Sequence, residues 1–140
     1  MQILTDKTRP KTIIFLIVLF SFGMVMSLLA VFTLLFPQSR IQGVWSINPE
    51  GHQAFLKMGA WSFLVLCPVT ILCFIAASGL ALHRKWGYYA ANVLLGLNLL
   101  GDIGNIILRD EYRSLIGIPI ATVLLILLNR SNLRRYFGFF

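Results

Sequence analysis

Apolar residues in this chain run together rather than alternating with polar ones. Four such runs stand out: Ile13 to Phe36, Ser62 to Leu82, Trp86 to Leu108 and Ser114 to Leu128. At about 1.5 Å per residue, each of the first three is long enough to cross roughly 30 Å of hydrocarbon as a helix. The fourth has 15 residues, or about 22 Å of helix, and needs local bilayer thinning or snorkelling of Arg113 and Arg130 to span. The pattern predicts an all-α fold: one integral membrane domain over 1–140, a four-helix bundle with an outer loop at 37–61.

The joints between the runs set the neighbours. His83-Arg84-Lys85 and the stretch from Arg109 to Arg113 are short turns, so the runs they join must be antiparallel. In the long connection, Asn48-Pro49-Glu50 reads as a helix start: an N-cap, proline at the first helical position, and an acid in the first turn. That helix is expected to run along the surface and enter the membrane near Trp61. Trp45 and Trp61 suit the interface. Pro68 should kink the second run by freeing the carbonyl of Leu64, and Pro119 should bend the fourth. Ser21, Gly23, Ser27 and Ala30 in the first run, the stretch Ala76 to Ala81 in the second, and Gly117 with Ala121 in the fourth permit close helix contact. The tail from Asn129 to Phe140 mixes arginines with aromatic residues, as expected of a helix lying on a membrane surface.

One stretch breaks the apolar pattern. Asn98, Asp102, Asn105 and Arg109 fall within an arc of about 60° at 100° per residue, on the outer half of the third run. Asp102 lies seven residues, or about 10 Å, from Arg109. A bilayer penalises a carboxylate at that depth, by about 2.5–3.5 kcal/mol at a helix centre, unless it meets partners or water. Thr70 and Thr122 are expected at similar depth and are the candidate partners of this face. Three roles are open to it: hydrogen-bonded glue between helices of the chain, a proton or cation site reached from outside with Asn98 and Asn105 as oxygen ligands, or contact with another subunit. Asn92 lies on a different face and should serve another contact.

Composition agrees with a membrane protein: 58% of the 140 residues are hydrophobic and the mean hydropathy is +0.82. The net charge of +7 does not describe a nucleic-acid surface, because the basic residues sit at helix ends, where they meet lipid head groups. Eight Lys and Arg fall in the N-terminal segment, the 83–85 turn and the tail, and four (Arg40, Lys57, Arg109 and Arg113) fall on the opposite side. The positive-inside rule then puts both termini in the cytoplasm. The first run exceeds the 7–15 residues of a signal-peptide core, and Leu34-Leu35-Phe36-Pro37 is not a small-residue cleavage site, so a retained anchor is expected.

Candidate chemistry is sparse. His52 and His83 fall on opposite sides of the membrane, no metal-ligand spacing or nucleophile–base set is present, and Gly101-Asp102-Ile103-Gly104 lies inside an apolar helix, where a phosphate loop does not form. His83, beside Arg84 and Lys85, reads as an interfacial basic residue rather than a haem ligand. Cys67 and Cys73 are six residues apart, about 9 Å on one helix, too far for a disulfide. No catalytic, cofactor or metal residue is assigned.

The segment Gly79-Leu80-Ala81-Leu82-His83-Arg84-Lys85-Trp86-Gly87, with Leu133-Arg134-Arg135-Tyr136-Phe137, resembles small four-helix bacterial inner-membrane proteins of unknown function, over about two-thirds of the chain in pattern. The resemblance implies a bacterial inner-membrane location and the same topology, and no activity. Small multidrug-type transporters match in size, but their membrane carboxylate is a Glu in the first helix, and the run 13–36 contains no acid. The expected function is therefore that of a non-enzymatic membrane protein acting through helix–helix contacts, as an accessory or assembly subunit or by self-association. The alternative is a small proton- or cation-coupled transporter using Asp102.

Overall fold

A computed structural model describes residues 9–109, 112 and 114–139, with Arg109 described by its backbone alone. Among these residues the fold is all-helical, and no strand occurs. The helices are α1 (Lys11–Leu35), α2 (Pro49–Met58), α3 (Trp61–Ala81), α4 (Lys85–Arg109), α5 (Ser114–Leu128) and α6 (Ser131–Tyr136), with a 3-10 helix, Arg40–Ile47, before α2. Three of them, α1, α3 and α4, are long and apolar enough to cross a membrane, and α5 is shorter at 15 residues.

Contacts run in chain order: α1 packs on α3, α3 on α4 and α4 on α5. Each pair is antiparallel, as the cross-contacts show. Gly23 faces Cys73 and Ser27 meets Thr70 between α1 and α3, while Tyr88 meets Asn129 and Asp102 meets Gly117 between α4 and α5. The molecule therefore has a hairpin end, at His83 and α6, and a loop end, at the 3-10 helix and α2.

At the hairpin end the backbones of α3 and α4 almost touch. A Cβ on Gly79 would overlap the backbone of Gly87, and a Cβ on Gly87 that of Gly79. The turn between them closes with Arg84 N–H donating to Gly79 O at 2.9 Å and His83 N–H to Leu80 O at 3.4 Å. That closure puts His83 at φ 57°, a left-handed position glycine usually fills, at a cost of about 1 kcal/mol. Its ring lies 4.4 Å from that of Tyr136.

The tail does not continue α5 as a single helix. A turn at Asn129–Arg130 ends α5, and α6 folds back so that Leu133, Tyr136 and Phe137 are buried in the same core as Ile13, Leu80 and Tyr88. Aromatic contact supplies the reason: Tyr88 meets Phe137 and Phe139 at 5.6 and 4.9 Å, and Lys85 Nζ stands 5.2 Å over the Phe139 ring. A polar chain closes this end. Tyr88 Oη donates to Asn129 Oδ1 (2.6 Å), Asn129 Nδ2 to Asn92 Oδ1 (2.6 Å), and Asn92 Nδ2 to the Tyr88 carbonyl (2.9 Å). Asn92 thus has the separate contact its angular position implied.

At the loop end, Asn48 accepts from Gly51 N–H at 2.9 Å with Pro49 at the first helical position. The helix it starts does not continue into α3: Gly59, at φ 58°, ends it and α3 begins at Trp61. Trp45 is buried within the chain. Its Nε1–H donates to Thr33 Oγ1 at 2.8 Å and its ring stacks on His52 at 4.6 Å, while Trp61 is exposed. Gln42 Nε2 donates to the Thr33 carbonyl at 3.1 Å. Together these bonds tie the 3-10 helix to the end of α1. Helices α3 and α5 run uninterrupted through Pro68 and Pro119.

Candidate functional site: the polar face of α4

Asp102 sits where α4 crosses α5, and the residue opposite it is Gly117. A Cβ on Gly117 would collide with Asp102 Oδ2 and would come within 2.8 Å of its Cγ. The notch left by this glycine is what lets a carboxylate lie at the helix crossing. A larger residue in α5 would push the two helices apart or turn the side chain away.

The carboxylate borders two hollows. One, at the loop end, has a volume of about 650 Å³ and lies between α2 and the ends of α4 and α5, with Asn105, Ser114 and Phe55 among its lining. The other, about 270 Å³, is a groove between α1, α4 and α5, with Phe22, Gly23, Asn98 and Ile120 among its lining. Asp102 and Gly117 belong to both. The expected polar face is therefore divided: Asn98 opens on the groove, Asn105 on the loop-end cavity, and Asp102 stands between them. The side chain of Arg109 lies outside the described residues.

The two candidate partners are drawn elsewhere. Thr70 Oγ1 lies 2.7 Å from Ser27 Oγ and 2.8 Å from the Leu66 carbonyl, which Ser27 Oγ reaches at 3.2 Å, so its bonds link α3 to α1. Thr122 Oγ1 donates to the Ile118 carbonyl of its own helix at 2.7 Å. Neither lines the groove or the loop-end cavity. Among the described residues, Asn98, Asp102 and Asn105 make no side-chain hydrogen bond or ion pair. Internal glue between α4 and its neighbours is supplied instead by Asn92 with Asn129 and by Tyr88, toward the hairpin end.

Open space surrounds the same half of α4. Beyond their own helix backbone, Gly96, Gly101 and Gly104 have none of the described residues within 4 Å of where a Cβ would stand, unlike Gly79 and Gly87, which fill each other's space. Among the described residues no group of three or more His, Cys, Asp or Glu could hold a metal ion, and Cys67 and Cys73 are free thiols.

Sequence reasoning missed Gly117 as the residue that houses Asp102, although it marked that position as small. Counting from the turn pointed elsewhere: Asp102 lies seven residues before Arg109 and Gly117 only three after Ser114, so equal depth suggested Thr122 instead. No family model, no curated protein and no solved structure matches the chain.

Proposed function

We propose that this is a non-enzymatic integral membrane protein, a four-helix bundle of the bacterial inner membrane with both termini in the cytoplasm, that acts through helix–helix contact as an accessory or assembly subunit of a membrane complex. The observation that carries the reading is Asp102, a carboxylate with no hydrogen-bonding partner in its own chain among the described residues. In hydrocarbon such a group needs a donor from elsewhere. A neighbouring helix entering beside Asn98 and Asp102 would supply one, and the open glycines of α4 would let that helix approach closely. The charge count supports the orientation, with eight basic residues on the side assigned to the cytoplasm and four on the other.

A second reading, a small proton- or cation-coupled transporter, draws on the position of Asp102 between the loop-end cavity and the groove. Tagged protein purified from native membranes in mild detergent separates the two readings. The subunit reading expects a stoichiometric partner, or a defined homo-oligomer, that Asp102→Asn releases. Recovery of a monomer that carries Asp102-dependent proton flux in liposomes would favour the transporter.

A further inference from the structure

The loop-end cavity has a composition of its own. Its roof is α2, held over the helix ends by the Asn48 cap and by the stacking of Trp45 on His52, with the Phe55 ring tilted 6.1 Å from that of Trp45. The α2 side presents Ala54, Phe55 and Met58 together with the Glu50 carboxylate at its first turn, and Val65 of α3 adds a further apolar wall. The floor is polar: the Asp102 carboxylate, the Asn105 carboxamide and the Ser114 hydroxyl. No Lys, Arg or His occurs among the described residues that line it. Its volume of about 650 Å³ is that of a small-molecule site, for which the usual range is about 300–1,000 Å³.

We infer that this cavity binds an organic monocation, a primary amine carried on an apolar or aromatic body, with the ammonium at Asp102 and Asn105 and the body against Phe55 and Met58. Charge and shape both select this class. An ammonium supplies the hydrogen-bond donors that Asp102 lacks among the described residues, and in a partly desolvated site that pairing is stronger than in water. The apolar roof gives the rest of the molecule a surface to cover and an aromatic face that favours a cation nearby. A bare metal ion fits less well, since the described residues offer no group of three ligating side chains and half the lining is apolar. The inference shares the Asp102 carboxylate with the subunit reading but uses a different space, since the cavity lies on the α2 side of Asp102 and the groove for a partner helix on the α1 side.

Titration of the purified full-length protein in detergent with phenylpropylamine, phenylpropanol and phenylpropanoate, against protein-free micelles, tests it. The amine should bind saturably, at least about tenfold tighter than the alcohol, and the carboxylate should not bind. Asp102→Asn should weaken the amine about tenfold or more and leave the alcohol unchanged. Ala54→Trp, which fills the cavity from the roof away from the helix crossing, should abolish binding of both, and it carries the test if Asp102→Asn fails to fold. No saturable binding of the amine, equal affinities for amine and alcohol, or wild-type binding by Ala54→Trp would each overturn the inference. A partner retained by a variant that no longer binds the amine would leave the subunit reading standing and separate the two.

Discussion

The hairpin end and the loop end of this molecule solve the same problem in opposite ways. Both place polar groups and glycines on apolar helices. At the hairpin end these features meet complements on neighbouring elements: Gly79 lies on Gly87, Asn92 on Asn129, Tyr88 on Asn129, and the tail aromatics on Tyr88 and His83. Toward the loop end, Asn98, Asp102 and Asn105 face hollows, and Gly101 and Gly104 face open space. In lipid there is little hydrophobic drive to hold helices together, so close packing and interhelical hydrogen bonds do that work. The hairpin end concentrates them. The other half of α4 has fewer of them among the described residues.

Substitutions at glycines should break this contrast most visibly. Gly87→Leu is expected to destroy the α3–α4 contact, costing about 3 kcal/mol or more, read as loss of monodisperse helical protein in detergent. Gly101→Leu, with nothing near it, should leave the purified chain folded and weaken only its assembly. A smaller effect belongs to the notch at Asp102. Gly117→Ala should cost about 1–3 kcal/mol, and Asp102→Ala in the same chain should recover most of it, a coupling measurable in a double-mutant cycle by denaturant titration. If the two changes simply add, the carboxylate is not seated against Gly117.

Single hydrogen bonds come next. Tyr88→Phe removes the donor to Asn129 and should cost about 0.6–1.7 kcal/mol, with the hairpin end loosening before the rest in hydrogen exchange. Trp45→Phe removes the bond to Thr33 and should cost about 1 kcal/mol, seen as faster proteolysis between Ser39 and Asn48 with α1 intact. The smallest change is Gly101→Ala, expected to stabilise α4 by up to about 1 kcal/mol through helix propensity alone. Destabilisation there would mean that the open half of α4 is packed after all.

Much of the secondary structure was legible in the sequence because long apolar runs, the Asn48-Pro49 start and the basic turns are local signals. Which faces meet was not. Phe20 is 4% exposed and Phe22 63% exposed on the same helix, although both are phenylalanine. A helix bounded by lipid on one side and protein on the other is apolar all round, so periodicity carries little information about the buried face. The Asn98–Asp102–Asn105 arc could be read from spacing, whereas the turning of Thr70 toward Ser27 could not, since either face of α3 would accept a threonine. The return of α6 was equally hidden, because Tyr136, Phe137 and Phe139 suit a membrane surface as well as a core.

The most direct test of an unsatisfied face on α4 is site-specific photo-crosslinking in native membranes, with the reactive group at position 98 and, for comparison, at Val93, which is exposed at 53% on another face. A defined protein adduct from position 98, absent from position 93 and lost on Asp102→Asn, is the result expected if another helix lies against Asp102. Lipid adducts alone from position 98, or the same protein adduct from both positions, would contradict it.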